Sequence, residues 1–355
     1  MLKGLANFAN LSRFAPASHL RAVAAESTPL PKYLALGAYS PSNLLAWLGH
    51  VSAYMLHPKH KFLSYPPDAG TLLIDNQAAI SIAADWASGT NEAASVAKQI
   101  SAFVPDYTIH LGDTYYVGSG SEVNENFLGI KASGYDPVTW PRGKKGTFAL
   151  PGNHDMYTDG YAFFDVLLPA IGQGASFFRL SNDHWNIVGL DTAYNSTGLE
   201  FWPFKPSCKL RDEQMKWLAS LNLKGDSRGL IILSHHQPWS AFETAYPAAF
   251  KQLAPFLPAK VCFWFWGHEH RMAIYETQNG IAGRCIGHGG MPIKIKKPKD
   301  SPVCTFTDSR LYPNSENLTV GYNGFVNLTL NGPLINVDYR DLKGALQYHE
   351  ELMAK

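Results

Sequence analysis

With 355 residues, 46% of them hydrophobic and 17% charged, the chain has room for one large α/β domain or two, and the make-up of an ordinary globular protein. A formal net charge of +1 argues against nucleic acid or a membrane surface as a partner, and no apolar run reaches bilayer-spanning length. Cys208, Cys262, Cys285 and Cys304 are widely spaced, with no Cys-x-x-Cys pair, which argues against a zinc knuckle; two disulfides remain open.

The first 26 residues carry Lys3, Arg13 and Arg21 and no acid before Glu26, a faint likeness to an organelle transit peptide without the apolar stretch of a secretory signal. The expectation is a cytoplasmic protein with an N-terminal arm. Residues 1–70, punctuated by Pro29, Pro31, Pro41, Pro58, Pro66 and Pro67, read as an extension of helices and loops, with a helix over Asn43 to Leu56 behind a Ser42 cap. Residues 71–355 form the main domain in this reading.

From Ala79 the pattern becomes an α/β alternation. Strands are expected at Ala79 to Ala84, Tyr107 to Leu111, Thr147 to Leu150, Ser176 to Leu180, Trp185 to Asp191, Gly229 to Leu233 and Val261 to Trp266. Helices are expected at Asn91 to Phe103, Tyr161 to Ile171, Arg211 to Leu221 and Ala248 to Leu257. Phe325 to Leu330 and Leu334 to Tyr339 alternate on either side of Asn331-Gly332, a hairpin signal. The late cluster of strands points to two stacked sheets with helices outside, a four-layer α/β/β/α sandwich. The basic run Lys294 to Lys299 reads as a solvated loop.

Five strand ends carry donors: Ala84-Asp85-Trp86, Gly112-Asp113-Thr114-Tyr115-Tyr116, Gly152-Asn153-His154-Asp155, His235-His236-Gln237-Pro238 and Gly267-His268-Glu269-His270. Carboxyl ends of strands are where α/β sheets place their chemistry. Hard oxygen donors mixed with imidazoles suit iron, manganese or zinc better than magnesium or calcium. One carboxylate has two oxygens, so Asp113 can bridge two cations, the arrangement used for in-line displacement at phosphorus. Adjacent side chains rarely reach one site together; of the two neighbouring histidines, His236 is the expected ligand, because Pro238 restricts the backbone and the spacing matches the motif of the family named next.

The ordered motifs AD-W, GD-x-x-Y, GNHD, H-x-P-W and GH-x-H, over about residues 78 to 340, resemble the calcineurin-like metallophosphoesterases, and within them the purple (tartrate-resistant) acid phosphatase branch. Where most of that superfamily has a His two residues after the first Asp, this chain has Ala87; Tyr116 stands where the purple phosphatases have an iron-binding tyrosinate, with Tyr115 as the adjacent alternative. The resemblance implies a first metal held by Asp85, Asp113, Tyr116 and His270, and a second held by Asp113, Asn153, His236 and His268. Fe(III) is implied at the first site, and Fe, Zn or Mn at the second.

The implied activity is phosphomonoester hydrolysis by a dinuclear metal-dependent phosphatase, with in-line attack of a metal-bound hydroxide on a small phosphorylated substrate. His154 is expected to protonate the leaving oxygen, with Asp155 orienting its imidazole. The branch's further histidine after His-x-Pro is absent from Ser240 to Ala248, and His288 is the candidate to replace it, with His235 and Glu269 as outer candidates. A phosphodiesterase on the same scaffold, acting on a nucleotide, cyclic nucleotide or lipid headgroup, is the alternative, and a non-catalytic interaction module a remote one. Oligomeric state is not encoded in any feature named above.

Overall fold

The computed structural model describes residues 32–34, 58–66, 69–197, 207–293 and 295–354. The expected helix at Asn43 to Leu56 and the loop Gly198 to Pro206 lie outside the described residues. In chain order the first strands are β1 (Thr71–Leu73), β2 (Gln77–Ala83), β3 (Tyr107–His110) and β4 (Gly146–Ala149). Then come β5 (Phe178–Ser181), β6 (Trp185–Leu190), β7 (Gly229–Ser234), β8 (Cys262–Trp266), β9 (Met272–Tyr275) and β10 (Ile281–Ile286). The series ends with β11 (Cys304–Thr307), β12 (Leu311–Pro313), β13 (Thr319–Gly321), β14 (Gly324–Asn331), β15 (Leu334–Asp341) and β16 (Leu346–Met353).

They build two large sheets, one of eight strands in the order β1-β5-β6-β7-β8-β10-β9-β11 and one of six in the order β16-β15-β14-β2-β3-β4. The inner faces meet in a dry core in which Ile80, Ile82, Ile109 and Leu111 of one sheet oppose Ile187, Ile231, Leu233 and Phe265 of the other. Each of these fully buried side chains is worth roughly 1.5–3 kcal/mol in transfer from water. Helices cover the outer faces, so the expected α/β/β/α layering is what the chain adopts.

On the six-stranded side the cover is α1 (Asn91–Phe103) and α2 (Gly120–Asn126), with a short turn of wide helix at Phe163–Leu167 running into α3 (Leu168–Ile171). Thr90 starts α1 by accepting the Ala93 N–H, and Val96 and Ile100 face inward. On the eight-stranded side, α4 (Asp212–Ser220) and α5 (Ala248–Leu253) bury Trp217, Leu218 and Leu253 against Trp264 and Trp266. Residues 58–66, assigned to the extension by sequence, join this layer: Phe62 is buried against Phe177, with ring centroids 5.8 Å apart. Among the described residues no helix is long and apolar enough to cross a membrane.

The hairpin is present with a shifted turn. Asn331 pairs with Leu334, so the two turn residues are Gly332 and Pro333, and Gly332 supplies the positive φ of 61°. Strands β2, β3 and β4 are mutually parallel, as are β6, β7 and β8. Their carboxyl ends therefore open at one edge of the sandwich, and every donor stretch leaves one of them.

Candidate metal centre

Three of the donor residues leave their strands in the left-handed region: Asp85 at φ 56°, Asp113 at φ 74° and His268 at φ 66°. Each such non-glycine conformation costs on the order of 1–3 kcal/mol and persists only where the surroundings over-determine it. Here backbone bonds do so: Asp85 N–H donates to Gly112 O at 3.0 Å, and His268 N–H donates to Asp85 Oδ2 at 2.8 Å. Two glycines make the room. A Cβ on Gly152 would lie 2.0 Å from Asp113 Oδ1, and one on Gly267 would lie 2.6 Å from Asp85 Oδ2.

Asp113 sits at the centre, as expected. Its Oδ1 accepts the backbone N–H of His154 at 2.9 Å and lies 3.4 Å from His235 Nε2; its Oδ2 accepts the Tyr115 hydroxyl at 3.0 Å and lies 3.9 Å from His154 Nε2. Asp85 is fully buried beside it, and Tyr115 also donates to Asp85 Oδ1 at 2.9 Å. His270 joins the same group, with Nε2 2.9 Å from the Tyr115 hydroxyl and 3.6 Å from Asp85 Oδ1.

The hydroxyl that lies in this centre is that of Tyr115, the adjacent alternative, where the resemblance implied Tyr116. Tyr116 serves through its peptide group: its N–H donates to Glu122 and its carbonyl accepts from His154 Nδ1. Glu122 also takes the N–H groups of Val117 and Ser119, so the capping box of α2 holds the whole turn.

Both members of the histidine pair lie in the centre. His235 Nδ1 donates to Leu111 O at 2.8 Å, which leaves Nε2 facing Asp113 and, at 3.2 Å, Asn153 Oδ1. His236 instead turns Nδ1 to Thr192 Oγ1 at 3.0 Å. It remains in the cluster all the same: ligand atoms of His235, His236 and His268 lie within 4.8 Å of one another, as do those of Asp85, Asp113 and His235. The expectation that neighbours diverge assumes a strand, but β7 ends at Ser234, and beyond it the two rings stand at 87° with centroids 4.9 Å apart.

His154 lies at the edge of the centre, as expected, but Asp155 does not orient it. Asp155 accepts the backbone N–H groups of Gly152 at 2.8 Å, Asp113 at 3.0 Å and Thr114 at 3.2 Å, clamping two donor loops together. The orienting group for His154 is the Tyr116 carbonyl, which fixes the proton on Nδ1 and leaves Nε2 to the site. His288 is buried away from the centre: its carbonyl accepts the Gly324 N–H, its ring lies against Gly324, and the charges it feels are those of Asp308 and Asp341. Glu269, which lies between His268 and His270 in sequence, is fully buried, and burial pushes its carboxyl up to about 8. The expected solvated basic run is partly engaged, since Lys296 Nζ lies 3.0 Å from Glu243 Oε1.

The electrostatics are those of a place built for cations. Burial and the charge of Asp113 hold the Asp85 carboxyl well above the usual range. Burial also opposes ionisation of Asp113, but His235 and His154 outweigh it and hold that carboxyl well below the range. Burial drives His268 to about 3 and His270 to about 4, so both imidazoles are neutral and offer lone pairs at ordinary pH. His235 goes the other way, to about 9: burial opposes its charge, and Asp113, Asp85 and the Leu111 carbonyl prevail. The meaning is chemical. With Nδ1 committed to Leu111, His235 Nε2, Asn153 Oδ1 and Asp113 Oδ1 face one another, and a hydrogen-bond donor or a cation must stand between them. A proton can fill that role; a metal ion fits it, and the residues present suit one.

Sequence reasoning placed Tyr115 and His235 only as secondary candidates and missed two contributors, Glu122 and Tyr157, whose hydroxyl accepts from Asn153 Nδ2 at 3.0 Å. Tyr115 and His235 were legible as the adjacent members of the Tyr-Tyr and His-His pairs; Glu122 and Tyr157 left no local signal. A model of the calcineurin-like phosphoesterase family matches residues 79–272. No curated protein gives a significant match. Similar solved structures include GAP50, described as the anchor in the inner membrane complex of Plasmodium, at 15% identity and a TM-score of 0.55, covering 79% of this chain and 89% of that one. Another is PhoD, at 12% identity and a TM-score of 0.47, covering 81% of this chain and 70% of that one.

Proposed function

Because the chain belongs to the calcineurin-like phosphoesterase family, we propose that it is a dinuclear metal-dependent phosphatase acting on phosphomonoesters. The observation that supports this reading is the buried carboxylate of Asp113, with His235 Nε2 and Asn153 Oδ1 gathered at its Oδ1 and the Tyr115 hydroxyl at its Oδ2, so that one group offers donors to a cation on either side. Asp85, Asp113, Tyr115 and His270 would hold the first ion; Asp113, Asn153, His235 and His268 would hold the second, with His236 beside it. The phenol in the first set favours Fe(III) there, and the imidazole-rich second set suits Fe, Zn or Mn. When bound, two such ions neutralise phosphoryl charge and acidify a water to a pKa of about 7.

The chain's own residues supply the rest. His154, pinned through Nδ1, presents Nε2 3.9 Å from Asp113 Oδ2, where it can protonate a leaving oxygen. Burial lowers its pKa, so it is neutral until an anionic phosphoryl group arrives and favours its charged form. Asp155 keeps the loops of Asp113 and Asn153 in register, which fixes the distance between the attacking and protonating sides.

The test is elemental analysis of the purified chain together with rates on p-nitrophenyl phosphate and on its bis ester. About two transition-metal ions per chain and a faster monoester reaction are expected. A faster diester reaction would replace this reading with a phosphodiesterase, and a metal-free, inactive chain would leave an interaction module, as the description of GAP50 as an anchor would suggest. The complete donor set favours the enzyme.

A further inference from the structure

A carboxamide has one face that binds cations and one that repels them, and the two ends differ little in shape. Asn153 is such a group at the second ion's position: Oδ1 points to His235 Nε2 at 3.2 Å and Nδ2 points to the Tyr157 hydroxyl at 3.0 Å. If the amide turned over, two N–H donors would face the space a cation needs. Tyr157 lies four residues on in the same run of turns, and its ring stands edge-on to that of His154 with centroids 4.9 Å apart. Its hydroxyl is thereby fixed in place, and the buried Nδ2 has a partner on the side away from the ion. Leaving such a donor unmet costs about 1–3 kcal/mol.

We propose that Tyr157 is a positioning residue for the second metal ion, holding the Asn153 carboxamide with Oδ1 inward. The inference rests on the two-metal reading above. Its consequence is asymmetric: the first ion's carboxylates are held by backbone groups, Asp85 by the His268 N–H and Asp113 by the His154 N–H, so the second ion's affinity is the one that should depend on Tyr157.

The experiment is calorimetric titration of the metal-stripped full chain with Zn2+, comparing the unaltered protein, Tyr157→Phe, Asn153→Asp and the double variant. In Tyr157→Phe the second binding event should weaken ten- to a hundredfold, a range typical for losing an outer partner of a ligand, with the first event unchanged. In the Asn153→Asp background the penalty should shrink to a fewfold, because either carboxylate oxygen can serve as ligand and no orientation has to be chosen. Unaltered binding of both ions by Tyr157→Phe, equal weakening of both, or an undiminished penalty in the Asn153→Asp background would each overturn the role. A parent chain that binds fewer than two ions would instead overturn the two-metal centre, and this proposal with it.

Discussion

The Tyr115 hydroxyl donates to Oδ2 of Asp113, two residues earlier in the chain, at 3.0 Å, and the same oxygen reaches Asp85 Oδ1 and His270 Nε2 at 2.9 Å each. In this buried, acid-rich setting the phenol is held well above its ordinary pKa, by burial first and then by the charges of Asp113 and Asp85. A phenol that cannot ionise alone will ionise against a trivalent cation, which offsets the burial.

The prediction concerns colour. Loaded with Fe(III), the protein should show a visible phenolate band that Tyr115→Phe abolishes and Tyr116→Phe retains, since the hydroxyl among Asp85, Asp113 and His270 is that of Tyr115. Absorption spectra of the two variants at equal iron content check this. A band lost with Tyr116 and kept without Tyr115 would reverse the assignment.

The scaffold of this centre was legible because strand ends are written in one local stretch each: an apolar run, a glycine, a donor. Asp113, Asn153 and His268, with His270 two residues on, follow that form, Asp85 follows it with Ala84 in place of the glycine, and the structure brings all five together. Tyr115 against Tyr116 and His235 against His236 were not decidable that way. Each pair lies past the end of its strand, where side-chain alternation no longer applies and direction is set by distant groups, Leu111 O for His235 and Glu122 for the Tyr116 peptide. Asp155 misled for a related reason. Its sequence neighbour is His154, but its partners are three N–H groups, two of them some forty residues away in the chain. Strand β16, LQYHEELM, lacks strand alternation and forms because β15 offers an open edge in register with it.

Gly152 provides a steric test of the shared carboxylate. An added methyl would lie 2.0 Å from Asp113 Oδ1 and 2.6 Å from its backbone nitrogen, and the backbone cannot yield. Gly152→Ala should displace the Asp113 carboxyl, costing about 1–3 kcal/mol of stability by overpacking and, with it, most bound metal. Gly120→Ala is the control, because nothing lies within 4 Å of its added carbon. Thermal midpoints and metal content of both variants decide the matter; full metal occupancy in Gly152→Ala would show that the carboxylate can be held some other way.

Acid stability provides a test far from the centre. Arg228 grips Asp226 through Nε at 2.9 Å from Oδ1 and Nη2 at 2.6 Å from Oδ2, and it also donates to Ser181 Oγ and Asn182 O, tying the β5–β6 turn to the loop before β7. Partial burial works against the Asp226 charge, but the Arg228 and Asn186 bonds prevail and take its carboxyl from 3.8 down to about 2. A carboxyl depressed on folding adds stability that is present above its unfolded value and is lost as pH falls through the folded one. After solvent screening the effect is about 1 kcal/mol. Asp226→Asn should therefore be less stable than the parent at neutral pH by about that amount, with the gap closing between pH 3.8 and about 2. Urea unfolding at a series of pH values measures it, and a gap that stays constant into acid would mean that the charge of Asp226 contributes nothing beyond the shape of its side chain.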